Sequence, residues 1–213
     1  MKTSAYLLIG LVLLSVLSGC ASISAKYDME LTEVERPAQA KERYGEQKII
    51  TNNESGVNKY VFEDEMVKIL WVPTPDAIHF SLVNKTTHSI KIVWDEAAYV
   101  DVNGSSHRVM HSGVKFVDMN SPQPPTIVVR NGSIEDLVFP TDNVYYSSGA
   151  YGGWTQVPLF PTSGYTVEEL RTKAEPYKNR KFQVLLPLQI EDIVNEYIFI
   201  FGINDVVISQ TFK

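Results

Sequence analysis

A second cysteine is missing from this chain of 213 residues: Cys20 stands alone, so no disulfide can close within it. Whatever folds here must be held by burial. A membrane-crossing run is missing too. The apolar stretch from Ala5 to Leu17 is 13 residues, against the roughly 20 that a helix needs to cross a hydrocarbon core of about 30 Å. Basic charge is scarce, with 19 Lys and Arg against 25 Asp and Glu and a net charge of -6. That balance does not favour duplex nucleic acid or anionic headgroups, both of which draw Lys and Arg clusters. No glycine-rich phosphate loop occurs, and neither Ser147-Ser148-Gly149 nor Ser112-Gly113 forms the G-x-S-x-G turn of a serine nucleophile.

What the chain does have is a sharply organised start. Lys2, the apolar run, the small residues Ser18 and Gly19 and then Cys20 fit a cleavable export signal with a cysteine at the cut. Leu17-Ser18-Gly19-Cys20 resembles the lipobox of bacterial lipoproteins. The resemblance implies that residues 1–19 are a signal peptide, that the Cys20 thiol carries diacylglycerol, and that the new amino terminus is acylated. Several acyl chains would make attachment effectively permanent, since each buried methylene contributes about 0.8 kcal/mol. Ala21 follows Cys20. In such lipoproteins an aspartate there marks retention at the inner membrane, so the resemblance implies the outer membrane.

From Ala21 to Gln47 charged residues crowd a stretch with few large apolar side chains, and Pro37 interrupts it. Residues 20–47 therefore read as a solvated, lipidated tether, with a helix over 38–44 unsupported by an apolar face. The remainder, 48–213, reads as one domain. The composition of the whole chain, 44% hydrophobic and 21% charged, is that of a globular protein.

Period-two alternation dominates that domain. Ile78, Phe80 and Leu82 share one face, as do Ile90, Ile92 and Trp94, and the two segments read as an antiparallel pair with 84–88 as the turn. Asn103-Gly104 predicts a two-residue type I′ hairpin that sets Val100 opposite His107 and leaves Asp101 and Arg108 as diagonal partners. Further strands are expected at 59–62, 66–72, 126–129, 133–139, 182–186, 196–201 and 206–212. The segment 197–201, apolar throughout, suits a central strand. Thr166-Val167-Glu168-Glu169 has capping-box spacing and predicts a helix that stops near Ala174, ahead of Pro176. The fold class expected is all-β, an antiparallel sandwich of immunoglobulin-like architecture with one short helix.

Candidate chemistry is sparse. His107 and His111 lie four apart on an expected strand, about 13 Å along it, too far to share a metal. Asp101-Val102-Asn103-Gly104 has its glycine two positions too early for a calcium loop. Neighbouring Asp95 and Glu96 would point to opposite faces. No catalytic residue, metal or cofactor is indicated. The unusual stretch is 144–164, read as a long loop in which Tyr145, Tyr146, Tyr151 and Trp154 are interleaved with serine and glycine. Such composition suits a recognition surface for an envelope protein or glycan, or else a packed lid over one end of the sandwich. The segments 94–96, 111–114 and 121–125 are similar to bacterial lipoproteins to which no activity attaches. The expectation is a lipid-anchored envelope protein with a non-catalytic binding or assembly role; the alternative is a periplasmic hydrolase or carbohydrate-acting enzyme whose site forms only in three dimensions.

Overall fold

Alternating segments each leave an apolar face to be covered, and here the strands follow one another along a single winding path of pairings. The computed structural model describes residues 21–38, 40–54, 57–149 and 151–212. Cys20 and the expected signal peptide, 1–19, lie outside the described residues. In chain order the elements are β1 (Ala21–Glu35), α1 (Ala40–Tyr44), β2 (Lys48–Glu54), β3 (Val57–Glu63), β4 (Val67–Pro73), β5 (Ile78–Asn84), β6 (Ile90–Ile92), β7 (Ala98–Val100) and β8 (Ser106–Met110). There follow β9 (Thr126–Val128), β10 (Ser133–Pro140), β11 (Val144–Ser147), β12 (Gly153–Gln156), α2 (Val167–Ala174), β13 (Lys181–Ile190) and β14 (Ile193–Phe212).

The main sheet runs β1-β14-β13-β7-β8-β10-β5-β4-β3-β2, with β6 beside β13 and β9 beside β6. Its pairings are antiparallel. At one end of the path, β1 meets β3, the strand next to the other end, through side chains. Tyr60 of β3 donates its hydroxyl to the Met29 carbonyl of β1, and Asn58 Nδ2 lies 3.1 Å from Asp28 Oδ1. Between the facing parts of this nearly closed sheet, Trp71 of β4 packs on Phe199 and Phe201 of β14, with centroids 4.7 and 5.7 Å apart. A buried carboxylate anchors the same core: Asp64 accepts from Met66 N, Val67 N and Tyr197 OH, and Arg36 lies 3.4 Å away.

Much of the local reading holds. Ile78, Phe80, Leu82, Ile90, Ile92 and Trp94 are all buried. The Thr166 hydroxyl accepts from Glu169 N at 3.0 Å, the Glu169 carboxylate accepts from Tyr165 N at 3.0 Å, and α2 ends at Ala174. Residues 198–201 sit between β1 and β13, as a central strand should.

Four expectations are corrected. The first is the tether. Residues 21–35 form β1, paired with β14 from Ala21 to Glu35 apart from Thr32, and bury Ala25, Met29, Leu31 and Val34. Ile23, Ala25, Tyr27, Met29 and Leu31 do alternate, but the even positions carry serines and then the charges Lys26, Asp28 and Glu30, and register shifts after Asp28 and Leu31 break the phase before Val34. Second, β5 does not pair with β6: it lies between β4 and β10, while Asn84 crosses to the other part of the sheet, donating to the carbonyls of His88 and Val128 at 2.8 and 2.9 Å.

Third, the hairpin around Gly104 is one residue out of the expected register, with Tyr99 opposite His107 and Val100 opposite Ser106. Gly104 has φ +86°, but Asn103 is not in the left-handed region that a type I′ turn demands. Instead the Asp101 carboxylate accepts from the amides of Asn103 and Ser105, closing a longer loop. A one-residue slip exchanges the faces. Tyr99 is therefore buried, and Arg108 pairs with Asp95 at 2.7 Å rather than with Asp101. Fourth, 144–164 is not a structureless loop, because β11 and β12 form a hairpin within it.

Candidate functional site

The β11–β12 hairpin stands apart from the main sheet, so its side chains find few neighbours. Its root is fixed. Val144 is buried, Val157 N donates to Asn143 O at 2.8 Å, and Asn143 Nδ2 donates to the Val157 and Pro158 carbonyls at 3.1 Å each. The turn is tight at Gly152, where a Cβ would stand 2.3 Å from the Ser147 carbonyl oxygen. Glycine is the residue that permits this closure.

The four rings singled out in the sequence are all exposed: Tyr145 by 51%, Tyr146 by 62%, Tyr151 by 103% and Trp154 by 42%. Tyr146 lies directly across the ladder from Trp154, edge to face at 5.4 Å. The ring of Phe116, from the loop after β8, is also against the indole, with centroids 6.0 Å apart. Tyr145 pairs with Thr155 and, one residue along the strand, takes the opposite face. Phe160, in the same expected loop, is buried in the main core instead.

Beside Trp154 an open groove of about 380 Å³ runs along Val114, Lys115, Phe116 and Val117. Across the same loop lies a second groove of about 490 Å³, walled by Pro122, Pro124 and Pro125 and reached by His111. The His111 ring stacks on Trp94 at 4.3 Å, and its Nδ1 lies 3.2 Å from Asp136 Oδ2. Asp136 Oδ1 in turn accepts from the amides of Ser112 and Leu137 at 2.8 Å. Such a carboxylate orients an imidazole and fixes which nitrogen carries the proton.

His107 occupies different ground. Its Nδ1 is 2.8 Å from Asp142, in the turn that feeds β11, and its Nε2 is 3.5 Å from Asp101. The Asp142 bond, ahead of the Asp101 contact, raises its pKa above the ordinary histidine value. The two histidines thus face separate carboxylates. Phe116 and both His–Asp pairs went unforeseen, because each joins positions 25 to 38 apart along the chain and no local spacing marks them.

No family model, curated protein or solved structure matches this chain.

Proposed function

We propose that this protein is a lipid-anchored envelope protein, tethered through Cys20 to the outer membrane, that captures an envelope protein or glycan on the aromatic hairpin without catalysing a reaction. The observation that carries the binding role is the concentration of exposed rings on one rooted hairpin beside a groove. Tyrosine and tryptophan bury large areas at little side-chain entropy cost, which is what a recognition surface needs. The lipobox supports the anchor. The packing of β4 rings on β14 rings supports, for the sheet as a whole, a sandwich of immunoglobulin-like kind.

The hydrolase reading has its own observation, the His111–Asp136 pair at the edge of a groove. Two measurements divide the readings. Intact protein should fractionate with membranes and Cys20→Ala protein should not. In a crosslinking pull-down from the envelope, Trp154→Ala should lose the captured partner while His111→Ala keeps it. Capture that survives Trp154→Ala removes the hairpin from the function, and hydrolysis of envelope substrates lost in His111→Ala would replace binding with catalysis.

A further inference from the structure

In the sequence, no spacer separates Cys20 from the fold. β1 begins at Ala21, the residue after Cys20, and pairs without a gap from Ala21 opposite Phe212 to Asp28 opposite Asp205. This ribbon is braced from a third side. Ala25 N donates to Thr162 O at 3.0 Å and Ser24 bridges Ser163, so the chain from 162 runs antiparallel to β1, back toward Cys20. Two residues farther on stands Tyr165, 94% exposed. Its place is fixed by the capping box of α2, and α2 buries Leu170 and Ala174 against Ala25, with Ile23 and Ile208 packed alongside.

We infer that the end of the domain formed by Ser22, Ser24, Tyr165 and the Ala21–Phe212 end of the β1–β14 ribbon lies against the lipid headgroups in one fixed orientation. This rests on the lipid-anchor reading above. A flexible spacer over residues 21–47 would let the domain wander about 30 Å from its anchor. Ser24, locked into the fold, is four residues after Cys20, a reach of at most about 13 Å. Ser22, Ser24 and Tyr165 offer hydroxyls there rather than a basic patch, which suits zwitterionic headgroups and an aromatic ring at the interface. The turn between β13 and β14, at Glu191 and Asp192, belongs to the opposite end of the same long strand and must point away from the bilayer.

The natural sequence makes the test direct, because an acylated Cys20 leaves no free thiol. Full-length protein, lipidated in a bacterial host, would carry either Tyr165→Cys or Asp192→Cys, labelled with a bimane fluorophore. It would be reconstituted into phosphatidylcholine vesicles containing headgroup-nitroxide lipid. Quenching several-fold stronger at 165 than at 192 is expected, and a 20-residue Gly-Ser insertion between Ala21 and Ser22 should abolish the difference while the protein still floats with the vesicles. Flotation with equal quenching at both positions overturns the fixed orientation and leaves the anchor standing. Failure to float overturns the anchor reading and this inference with it. Lys26→Cys, at an exposed site on the same ribbon, repeats the measurement should Tyr165→Cys fail to fold.

Discussion

Two groups of aromatic rings divide this molecule. Trp71, Phe62, Phe199 and Phe201 are fully buried between facing strands of the main sheet, while Tyr145, Tyr146, Tyr151 and Trp154 stand exposed on the hairpin. Residue type does not separate them. What differs is the number of strands that cover each ring, and Phe160, only six residues beyond Trp154, is buried because its segment returns to the core and packs on Phe182. An aromatic-rich stretch in a sequence therefore mixes rings that stabilise with rings that are free to bind.

The sharpest way to break the comparison is to truncate one ring of each group. Trp71→Ala should cost about 3–5 kcal/mol, as large aromatic truncations in cores do. Trp154→Ala, with a ring that is 42% exposed, should cost about 1 kcal/mol or less, read by thermal or urea unfolding. A loss at Trp154 as large as at Trp71 would mean that the hairpin is a packed lid and that its rings are not a binding surface.

Hydroxyls offer a finer contrast. Tyr197 donates to buried Asp64 at 2.9 Å, and burial first, then the Asp64 charge, raises its pKa far above the ordinary tyrosine value. Tyr197→Phe removes a donor from a carboxylate that water cannot reach, and should cost about 1–3 kcal/mol. Tyr146→Phe loses a hydroxyl that solvent already satisfies, and should stay within about 0.5 kcal/mol. Equal effects would show that the Asp64 cluster is not the buried network described above.

The same division explains what could be read from the chain. Signals carried by neighbouring residues were legible: the alternation at Ile78, Phe80 and Leu82, and the capping box between Thr166 and Glu169, each depend on a few consecutive positions. Signals that depend on partners were not. β1 hides its apolar face behind intervening polar and charged residues and two register shifts, and its reason for ordering lies some 180 residues away in β14. Asn103-Gly104 promised a register that the Asp101 carboxylate overrides by capturing two amides. Tyr145, Tyr146, Tyr151 and Trp154 could be nominated by composition. That Tyr146 and Trp154 share a face, with Phe116 beside them, needed the ladder.

The smallest effect expected is at the hairpin root, where His107 joins β8 to Asp142 in the turn before β11. The folded state raises the His107 pKa, so its protonated form contributes stability that is fully present below about 6.5, the ordinary histidine value. That contribution fades as pH rises through the higher folded value. Asp142 is mostly exposed, so the pair should contribute below about 1 kcal/mol. Global unfolding will scarcely register it. Amide exchange will, because the loss falls on the hairpin: from pH 6 to pH 8, after correction for intrinsic exchange, protection at Val144 to Ser147 should decline while that of β14 stays constant. His107→Gln should abolish the pH dependence. If the hairpin amides keep the same corrected protection across that range, His107 does not secure the root, and the exposed rings owe their placement to Val144 and Asn143 alone.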